Sequence, residues 1–512
     1  MLYSILTTQY PTLFMLLLGL DIGTSSIKAT VVNAATQQTV ASTQYPDHET
    51  PISSPQLGWA EQDPQTWWQH VVAVILRLNA TQKYDPNDIA AIGIAYQMHG
   101  LVLVDKAQNV LRPSIIWCDS RAVEIGNRAF GGIGSEQALA RLLNSPGNFT
   151  AAKLGWVKEN KPALYDQIDR AMLPGDFIAM RLTGQATSTN SGLSEGIFWD
   201  FQSNQISKDV MDYFGFEDSI LSSTQPVFSN HGQIKASVAQ QLGLPAGISV
   251  TYKAGDQPNN ALSLNVLEPG EIAATAGTSG VLYAVSGQVA YDPQSRVNTF
   301  AHVNHRLNPA EDRLGILLCI NGTGILNRWV KDNLAGGLSY ADMNQRAAQV
   351  GIGSEGLSVL PFGNGAERVL GNKSIGGQLT NIHFNTHTNA HIFRAVQEGI
   401  AFSFQYGFDI MQRIGVQPQV IRAGQANLFL SDVFTEALVN VTNAPVELFD
   451  TDGSKGAALG AGIGLGYFKT PKEAFEKLTK LKTIEPNPSF ADAYQSAYQN
   501  WLARLSLVLS VG

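Results

Sequence analysis

The chain has 512 residues, enough for two or more domains and a large core. Its formal net charge of -8, from 34 Lys plus Arg against 42 Asp plus Glu, argues against a nucleic-acid or anionic-membrane surface. Hydrophobic residues make up 44% and charged residues 15%, a globular and not a disordered composition; the two distant cysteines, Cys118 and Cys319, argue against a disulfide framework or thiolate metal site and fit a reducing cytoplasm.

The opening stretch, MLYSILTTQYPTLFMLLLGL, is apolar and carries no Lys or Arg, so it lacks the charged start and small-residue cleavage site of a signal peptide. Met15 is therefore expected to be the functional start, with residues 1–14 a non-functional extension. Leu16 to Thr30, LLLGLDIGTSSIKAT, follows at once. An apolar run meets Asp21, a Gly-Thr-Ser-Ser turn, and then renewed alternation, which predicts a strand, a tight turn and a second strand. Gly23 lets the turn bend and lets backbone approach a ligand. Backbone N–H groups and three consecutive hydroxyls suit phosphate oxygens. Asp21, at the strand end, is placed to hold a cation or its water on the same phosphates; the alternative is an ordinary hairpin with an incidental acid.

Asp63 and Pro64 mark the start of a helix carrying Trp67, Val71 and Ile75, with Trp59 in the loop before it. Ile92 to Ala95 predicts a strand ending in Gln97-Met98-His99-Gly100, and another strand starts at Leu101. A polar cluster at a strand end is where an open α/β sheet places its site. Ile115 to Arg121, IIWCDSR, follows the same plan; the alternative is that Asp119 and Arg121 only pair with each other. Asn148 to Asn160 predicts a helix with Lys153 and Trp156 on one face, Pro174-Gly175-Asp176 opens another, and Thr187 to Ser194 reads as a polar loop. Val250 to Asn265 predicts a strand running into Gly255, Asp256 and Gln257, then a helix from Asn259 or Asn260. Asp256 either caps that helix or presents a carboxylate to a cleft.

Leu267-Glu268-Pro269-Gly270 reads as a hinge. Directly after it, Ile272 to Val285, IAATAGTSGVLYAV, echoes the first hairpin, with Ala276 to Gly280 matching Ile22 to Ser26 and Thr275 standing where Asp21 stood. Two such hairpins half a chain apart predict two similar domains facing one nucleotide. Asn321 to Gly324 leads into a helix with Trp329; Phe362 to Gly371 is loop-like; His391 to Arg413 is a long amphipathic helix. Val420 to Asn427 is a strand entering a turn that can take an adenosine against Gly424, and Asp450 to Gly453 is a loop. Gly456 to Phe468 is the longest remaining apolar run, too short for the ~20 residues of a membrane span and flanked by Lys455 and Lys469. Its Gly456, Gly460 and Gly464 spacing predicts a helix packed tightly on another element.

Six motifs in order, the Asp21 hairpin, Gln97 to Gly100, Trp117 to Arg121, Ala254 to Gln257, Gly277 to Gly280 and Ala423 to Asn427, resemble those of the FGGY carbohydrate kinases over about Leu16 to Phe468. The Gln97-Met98-His99-Gly100 motif is most similar to that of members acting on ketopentoses, D-xylulose above all. The resemblance implies an α/β fold of two actin-like ATPase (ribonuclease H-like) domains, residues 15–267 and 268–512, with ATP and Mg²⁺ in the cleft. It implies Asp256 as the base that takes the proton from the sugar hydroxyl. Met98, His99, Trp117 and Gln257 would line the sugar site, and Thr24, Ser25, Gly277, Thr278, Gly424 and Asn427 would hold the nucleotide. Asp21 would serve the metal, through water. The adenosine turn departs from the family's usual pair of glycines, reading Ala423-Gly424-Gln425. The partner implied is a small-molecule sugar, with no nucleic acid and no membrane; a homodimer stays open. Alternative functions are a kinase for ribulose, a deoxy-ketose or a polyol, or an actin-like ATPase that uses ATP only as a switch.

Overall fold

In the computed structural model, which describes residues 15–511, the first hairpin forms as the alternation predicts. Strand β1 (Leu16–Ile22) pairs antiparallel with β2 (Ile27–Asn33), closing at Ile22 opposite Ile27. Residues 1–14, the expected extension, lie outside the described residues. Gly23 is not in a left-handed conformation; its need for glycine is a close approach, because a Cβ there would stand 2.8 Å from the Ser26 carbonyl oxygen. Strands β3 (Thr39–Tyr45), β4 (Ile89–Tyr96) and β5 (Ser249–Gly255) complete a five-stranded sheet in the order β5-β4-β1-β2-β3. The three adjacent strands β5, β4 and β1 are parallel, and Gly255, Tyr96 and Ile22 stand level at their carboxyl ends.

The second hairpin, β6 (Glu271–Ala276) and β7 (Gly280–Ser286), heads a second sheet. With β8 (Asn298–Ala301), β9 (Leu314–Ile320), β10 (Val420–Gly424), β11 (Val446–Phe449) and β12 (Lys480–Ile484) it runs β8-β9-β7-β6-β10-β11-β12. The inner order β11-β10-β6-β7-β9 repeats β5-β4-β1-β2-β3. The directions repeat too: hairpin and third strand antiparallel, then two parallel strands. The five-residue echo in the sequence is therefore one part of a repeated sheet.

The chain divides into two compact units that interleave along the sequence. The first holds 15–137, 146–265 and 452–478; the second holds 138–145, 266–451 and the described residues from 479. The sequence reading drew one break at 267/268, but the segment after Thr451 returns to the first unit because its helix covers that unit's sheet. This helix, Gly453–Gly464, lies on β1, β4 and β5 at backbone contact distance. A Cβ on Gly19 of β1 would strike the Ser454 carbonyl oxygen, and one on Gly93 of β4 the Ala457 carbonyl oxygen. From the helix side, a Cβ on Gly460 would stand 2.8 Å from the Tyr252 ring, and one on Gly464 would strike the Thr251 carbonyl oxygen. The glycine spacing read from the sequence is thus a helix pressed onto a sheet whose own glycines make room for it.

Three local readings change. Thr187 to Ser194 is not a loop but a short strand, Thr187–Thr189, and a helix, Asn190–Glu195, capped by the Thr189 hydroxyl on the Gly192 N–H. The helix after β5 begins at Asp256, three or four residues before the expected start at Asn259 or Asn260, with Pro258 in its first turn where the missing N–H costs nothing. The amphipathic helix of the second unit runs Asn389–Arg413, two residues earlier than predicted. Among the described residues no helix is long and apolar enough to cross a membrane.

Replacing Gly93 by Val should cost about 3 kcal/mol, the upper range for overpacking a well-filled interface, because the branched side chain has only the Ala457 backbone to enter. Gly131, in the helix Val123–Ile133, has no atom within 4 Å of its would-be Cβ. Gly131→Ala should gain about 0.5–1 kcal/mol from helix propensity alone. Paired denaturant melts of the two variants check both signs; a mild Gly93→Val would break the account of the helix–sheet contact.

Candidate active site

The level carboxyl ends of β1, β4 and β5 bring Asp21, Gln97 and Asp256 to one end of the sheet: Asp21 is the last residue but one of β1, and Gln97 and Asp256 directly follow β4 and β5. Asp256 is the first residue of the helix Asp256–Ser263, with Gly255 in the N-cap position; its carboxylate accepts from the backbone and the side chain of Gln257 in the first turn. Burial raises Asp256 to about 7, the charge of Asp21 adds to this, and hydrogen bonds from Gln257 oppose it. Asp21 is raised to about 6, first by burial and then by the charge of Asp452, with Lys28 opposing.

Asp452 is a site residue that sequence reasoning missed. It N-caps the Gly453–Gly464 helix, accepting from the Lys455 N–H at 2.9 Å and from the Ser454 hydroxyl at 2.8 Å. Gly453 has no side chain because the Asp21 carboxylate occupies that space, and the Asn259 amide donates to the Gly453 carbonyl at 2.9 Å. The only signal in the sequence was an Asp-Gly before a helix, 431 positions from Asp21, since 452 minus 21 is 431. Asp21 stands between two further carboxylates, its charge acting on Asp256 and that of Asp452 acting on it, with Lys28 alone opposing among the causes at Asp21, which makes a region short of positive charge. Among the described residues no three acidic, imidazole or thiol groups form a direct metal cage. The arrangement fits a hydrated Mg²⁺ carried on phosphates, which keeps most of its waters and takes one or two carboxylates.

The Gln97 to Gly100 turn is held in a strained form. His99 has φ 62, the left-handed region that a non-glycine residue occupies at a cost. Its ring Nδ1 lies 3.0 Å from the Glu195 carbonyl oxygen, and the ring stands edge-on to Phe149 at 4.8 Å. In the neutral ring that bond requires the proton on Nδ1, which makes Nε2 an acceptor. Met98 is buried against Gly255, where a Cβ would come within 2.6 Å of its Cγ. Lys153, fully buried, donates to the His99 carbonyl at 2.8 Å and to the Ile116 carbonyl at 3.0 Å, tying this turn to the strand before Trp117. Burial lowers its ammonium to about 7, against the opposing charge of Asp119.

Trp117 is 46% exposed, and its indole N–H donates to the Thr24 hydroxyl at 3.0 Å. Thr24 in turn donates to the Gln97 side-chain oxygen at 3.1 Å, and Gln62, another residue not foreseen, donates to the Thr24 carbonyl at 2.9 Å. The Thr24 hydroxyl is thus engaged with the His99 side of the unit, while Ser25 is exposed and its carbonyl accepts from Thr50 N–H at 2.7 Å. The Gln257 side-chain oxygen is buried without a hydrogen-bond partner. Asp119 and Arg121 do pair, at 2.6 Å, and Arg121 lies 3.7 Å over the Trp59 ring. Their role is to hold the Trp59 loop, with the Ala60 N–H donating to Asp119 at 2.6 Å.

In the second unit Gly277, Thr278 and Asn427 line one cavity of about 370 Å³ together with Asn327, Arg328 and Tyr340, which the sequence did not mark. Gly424 is not among its lining residues. The β6–β7 turn is pinned from beneath: the Gly324 N–H donates to the Gly277 carbonyl at 3.0 Å and the Ile325 N–H to the Thr278 carbonyl at 3.1 Å. Glu367, fully buried and raised to about 7 by burial, accepts from the Asn321 N–H at 3.0 Å and so holds the turn that carries Gly324.

Comparison with known proteins agrees with this geometry. The N-terminal domain model of the FGGY family of carbohydrate kinases matches residues 16–263, and the C-terminal domain model matches residues 272–466. A xylulose kinase of Haemophilus influenzae is 27% identical over 507 residues, covering 96% of this chain and 99% of that protein. One from Staphylococcus epidermidis is 29% identical over 493 residues, 94% of each chain. The crystal structure of xylulose kinase from Rhodospirillum rubrum superposes with a TM-score of 0.85 at 27% identity, over 96% of this chain and 99% of that one. A glycerol kinase of Plasmodium falciparum shares the fold, with a TM-score of 0.83 at 18% identity over 96% and 98% of the two chains. The repeated sheet is that of the actin-like ATPases, and with both domain models matched in order the chain belongs to the FGGY family of carbohydrate kinases.

Proposed function

We propose that this chain transfers the γ-phosphoryl group of ATP to a ketopentose, D-xylulose foremost, in the cytoplasm, giving the 5-phosphate. The observation that carries the reading is Asp256, a carboxylate directly after a strand end that burial raises to about 7, next to a turn that presents His99. The xylulose kinases among its relatives support the choice of sugar.

Phosphoryl transfer asks for positioning and charge neutralisation more than covalent help. In the first unit, Met98, His99, Trp117 and Gln257 bind the sugar. His99 Nε2 accepts from a sugar hydroxyl, and the unpartnered Gln257 oxygen accepts from another. Asp256 accepts a hydrogen bond from the attacking hydroxyl and takes its proton as the O–P bond forms. In the second unit, Gly277, Thr278 and Asn427, with Gly424 at the strand end before them, hold the nucleotide, and the exposed Tyr340 ring offers a face to the base. The β1–β2 turn adds the backbone of Thr24 and the hydroxyl of Ser25. Mg²⁺ on the phosphates, held through water by Asp21, supplies charge neutralisation there.

A panel of ketopentoses and polyols, assayed by ADP release, should give its highest kcat/KM with D-xylulose. Preference for ribulose or a polyol would change the substrate, and ADP release indifferent to every sugar would leave only the ATPase switch.

Asp256→Asn should lower kcat about 10²–10⁴-fold while both ligands still bind. Wild-type turnover should rise through about pH 7 as Asp256 ionises. Stability moves the opposite way. The folded chain keeps this proton up to about 7 while the unfolded chain loses it near 3.8, so the contribution is complete below about 4 and is lost as pH rises through 7. The Asn variant escapes that loss and should be more stable than wild type at pH 8 by about 1–3 kcal/mol. Near-normal turnover would remove Asp256 from the chemistry.

His99→Ala should raise KM for the sugar by an amount worth about 1–3 kcal/mol, one or two hydrogen bonds, and leave KM for ATP nearly unchanged. Steady-state kinetics with each substrate varied in turn separate the two; a loss confined to ATP would move His99 to the nucleotide side.

A further inference from the structure

Lys153 is 0% exposed, on the helix Thr150–Asn160, and the phosphoryl transfer above gives it no task. A buried ammonium weakens a fold unless a carboxylate pairs with it. Asp119, the charge that favours it most, is paired with Arg121 instead. The Lys153 hydrogen bonds go to two backbone carbonyls, His99 at 2.8 Å and Ile116 at 3.0 Å. The Ile116 carbonyl has a second donor, the Asp119 N–H at 3.2 Å, so the bond that matters more is the one to His99. The same helix reaches His99 twice. Its N-cap residue Phe149 stands edge-on to the His99 ring at 4.8 Å, and Lys153, one turn further on, takes the His99 carbonyl. The helix start is itself fixed, since the Ala151 N–H donates to the Gly196 carbonyl at 3.0 Å, next to the Glu195 carbonyl that holds the ring Nδ1.

Resting on the ketopentose reading above, we propose that Lys153 is a positioning residue for the sugar site: its donors hold the His99 carbonyl, and with it the left-handed backbone that presents the His99 ring. The φ of 62 at His99 is a conformation that a non-glycine residue leaves when nothing holds it. A change of that backbone swings the ring away from its place, and Nε2 with it. The second bond, to Ile116, ties the same ammonium to the residue before Trp117, so both walls of the sugar site share one anchor. An apolar side chain of equal length would lie in the interior at less cost, but it would bring no donor to either carbonyl.

Lys153→Met keeps the length and loses the donors. It should raise the KM for the sugar about tenfold or more, with kcat within about threefold and the KM for ATP within about twofold of wild type. In the His99→Ala background the same substitution should raise the sugar KM by no more than about twofold, because the ring it positions has gone. Nitrogen NMR spectra of the histidine rings, with the His99 signals identified by their loss in His99→Ala, should show those signals displaced in Lys153→Met and the others in place. Lys153→Ala tests the same point should the Met variant not fold: propylammonium, which supplies the atoms that the substitution removes, should lower its sugar KM, and propanol should not. An unchanged sugar KM in the Met variant, an equal cost with and without the His99 ring, His99 signals that stay in place, or an Ala variant that responds to both additives or to neither overturns the proposal. The ring spectra need no substrate. A chain inactive on every sugar would therefore sink the ketopentose reading, while the hold of Lys153 on His99 would still be decided.

Discussion

The constraint on which the first unit depends is the distance between a helix and a sheet. The Gly453–Gly464 helix sits on β1, β4 and β5 at backbone contact, and glycines on both surfaces make that possible. Side chains of ordinary size at Gly19, Gly93 or Gly464 would lift the helix outward. The consequence is chemical. At this spacing the helix N-terminus arrives beside the end of β1, so that Asp452 and the side-chain-free Gly453 stand against the Asp21 carboxylate. A packing requirement thus sets the electrostatics of the acidic cluster.

That cluster carries more negative charge than its surroundings neutralise. Asp21 raises Asp256, Asp452 raises Asp21, and Asp256 raises Glu195, with burial the largest cause for each group. In a fold without function such a chain of acids is a defect, since Asp21, Asp256 and Glu195 hold their protons at a pH where the unfolded chain would release them. At a phosphoryl-transfer site the same deficit of positive charge attracts a hydrated cation and tunes a base to neutrality. Several charged groups of the scaffold around it are, by contrast, paired. Asp119 and Arg121 neutralise each other under Trp59, Lys253 meets Asp176 at 2.6 Å, and Lys153 spends its hydrogen bonds on two carbonyls.

The left-handed backbone of His99 belongs to the same pattern. The turn is held by Lys153 on its carbonyl and by the Glu195 carbonyl on its ring. Both anchors come from helices, and helices hold a strained loop more rigidly than other loops do. The nucleotide side repeats the device with different chemistry. There the β6–β7 turn is fixed from below by backbone N–H groups of Gly324 and Ile325, and Glu367 holds the turn that supplies them.

Much of this was written in local patterns. Hairpins, strand ends, the glycine-spaced helix and the long amphipathic helix were legible because each depends on neighbours within a few residues and on periodicities of two or 3.6. Asp21, His99 and Asp256 were legible because a polar residue after an apolar strand has few structural reasons to be there. The short helix ending in Glu195 was read as loop, since six residues rich in Ser and Gly carry no periodic signal. Asp452 beside Asp21, Glu195 beneath Gly255, the Thr24 hydroxyl shared between Trp117 and Gln97, and Tyr340 in the second unit's cavity were decided only by tertiary structure. Each joins residues far apart in the chain, and what joins them is the register of parallel strands and the closeness of one helix, neither of which a local pattern of residues specifies.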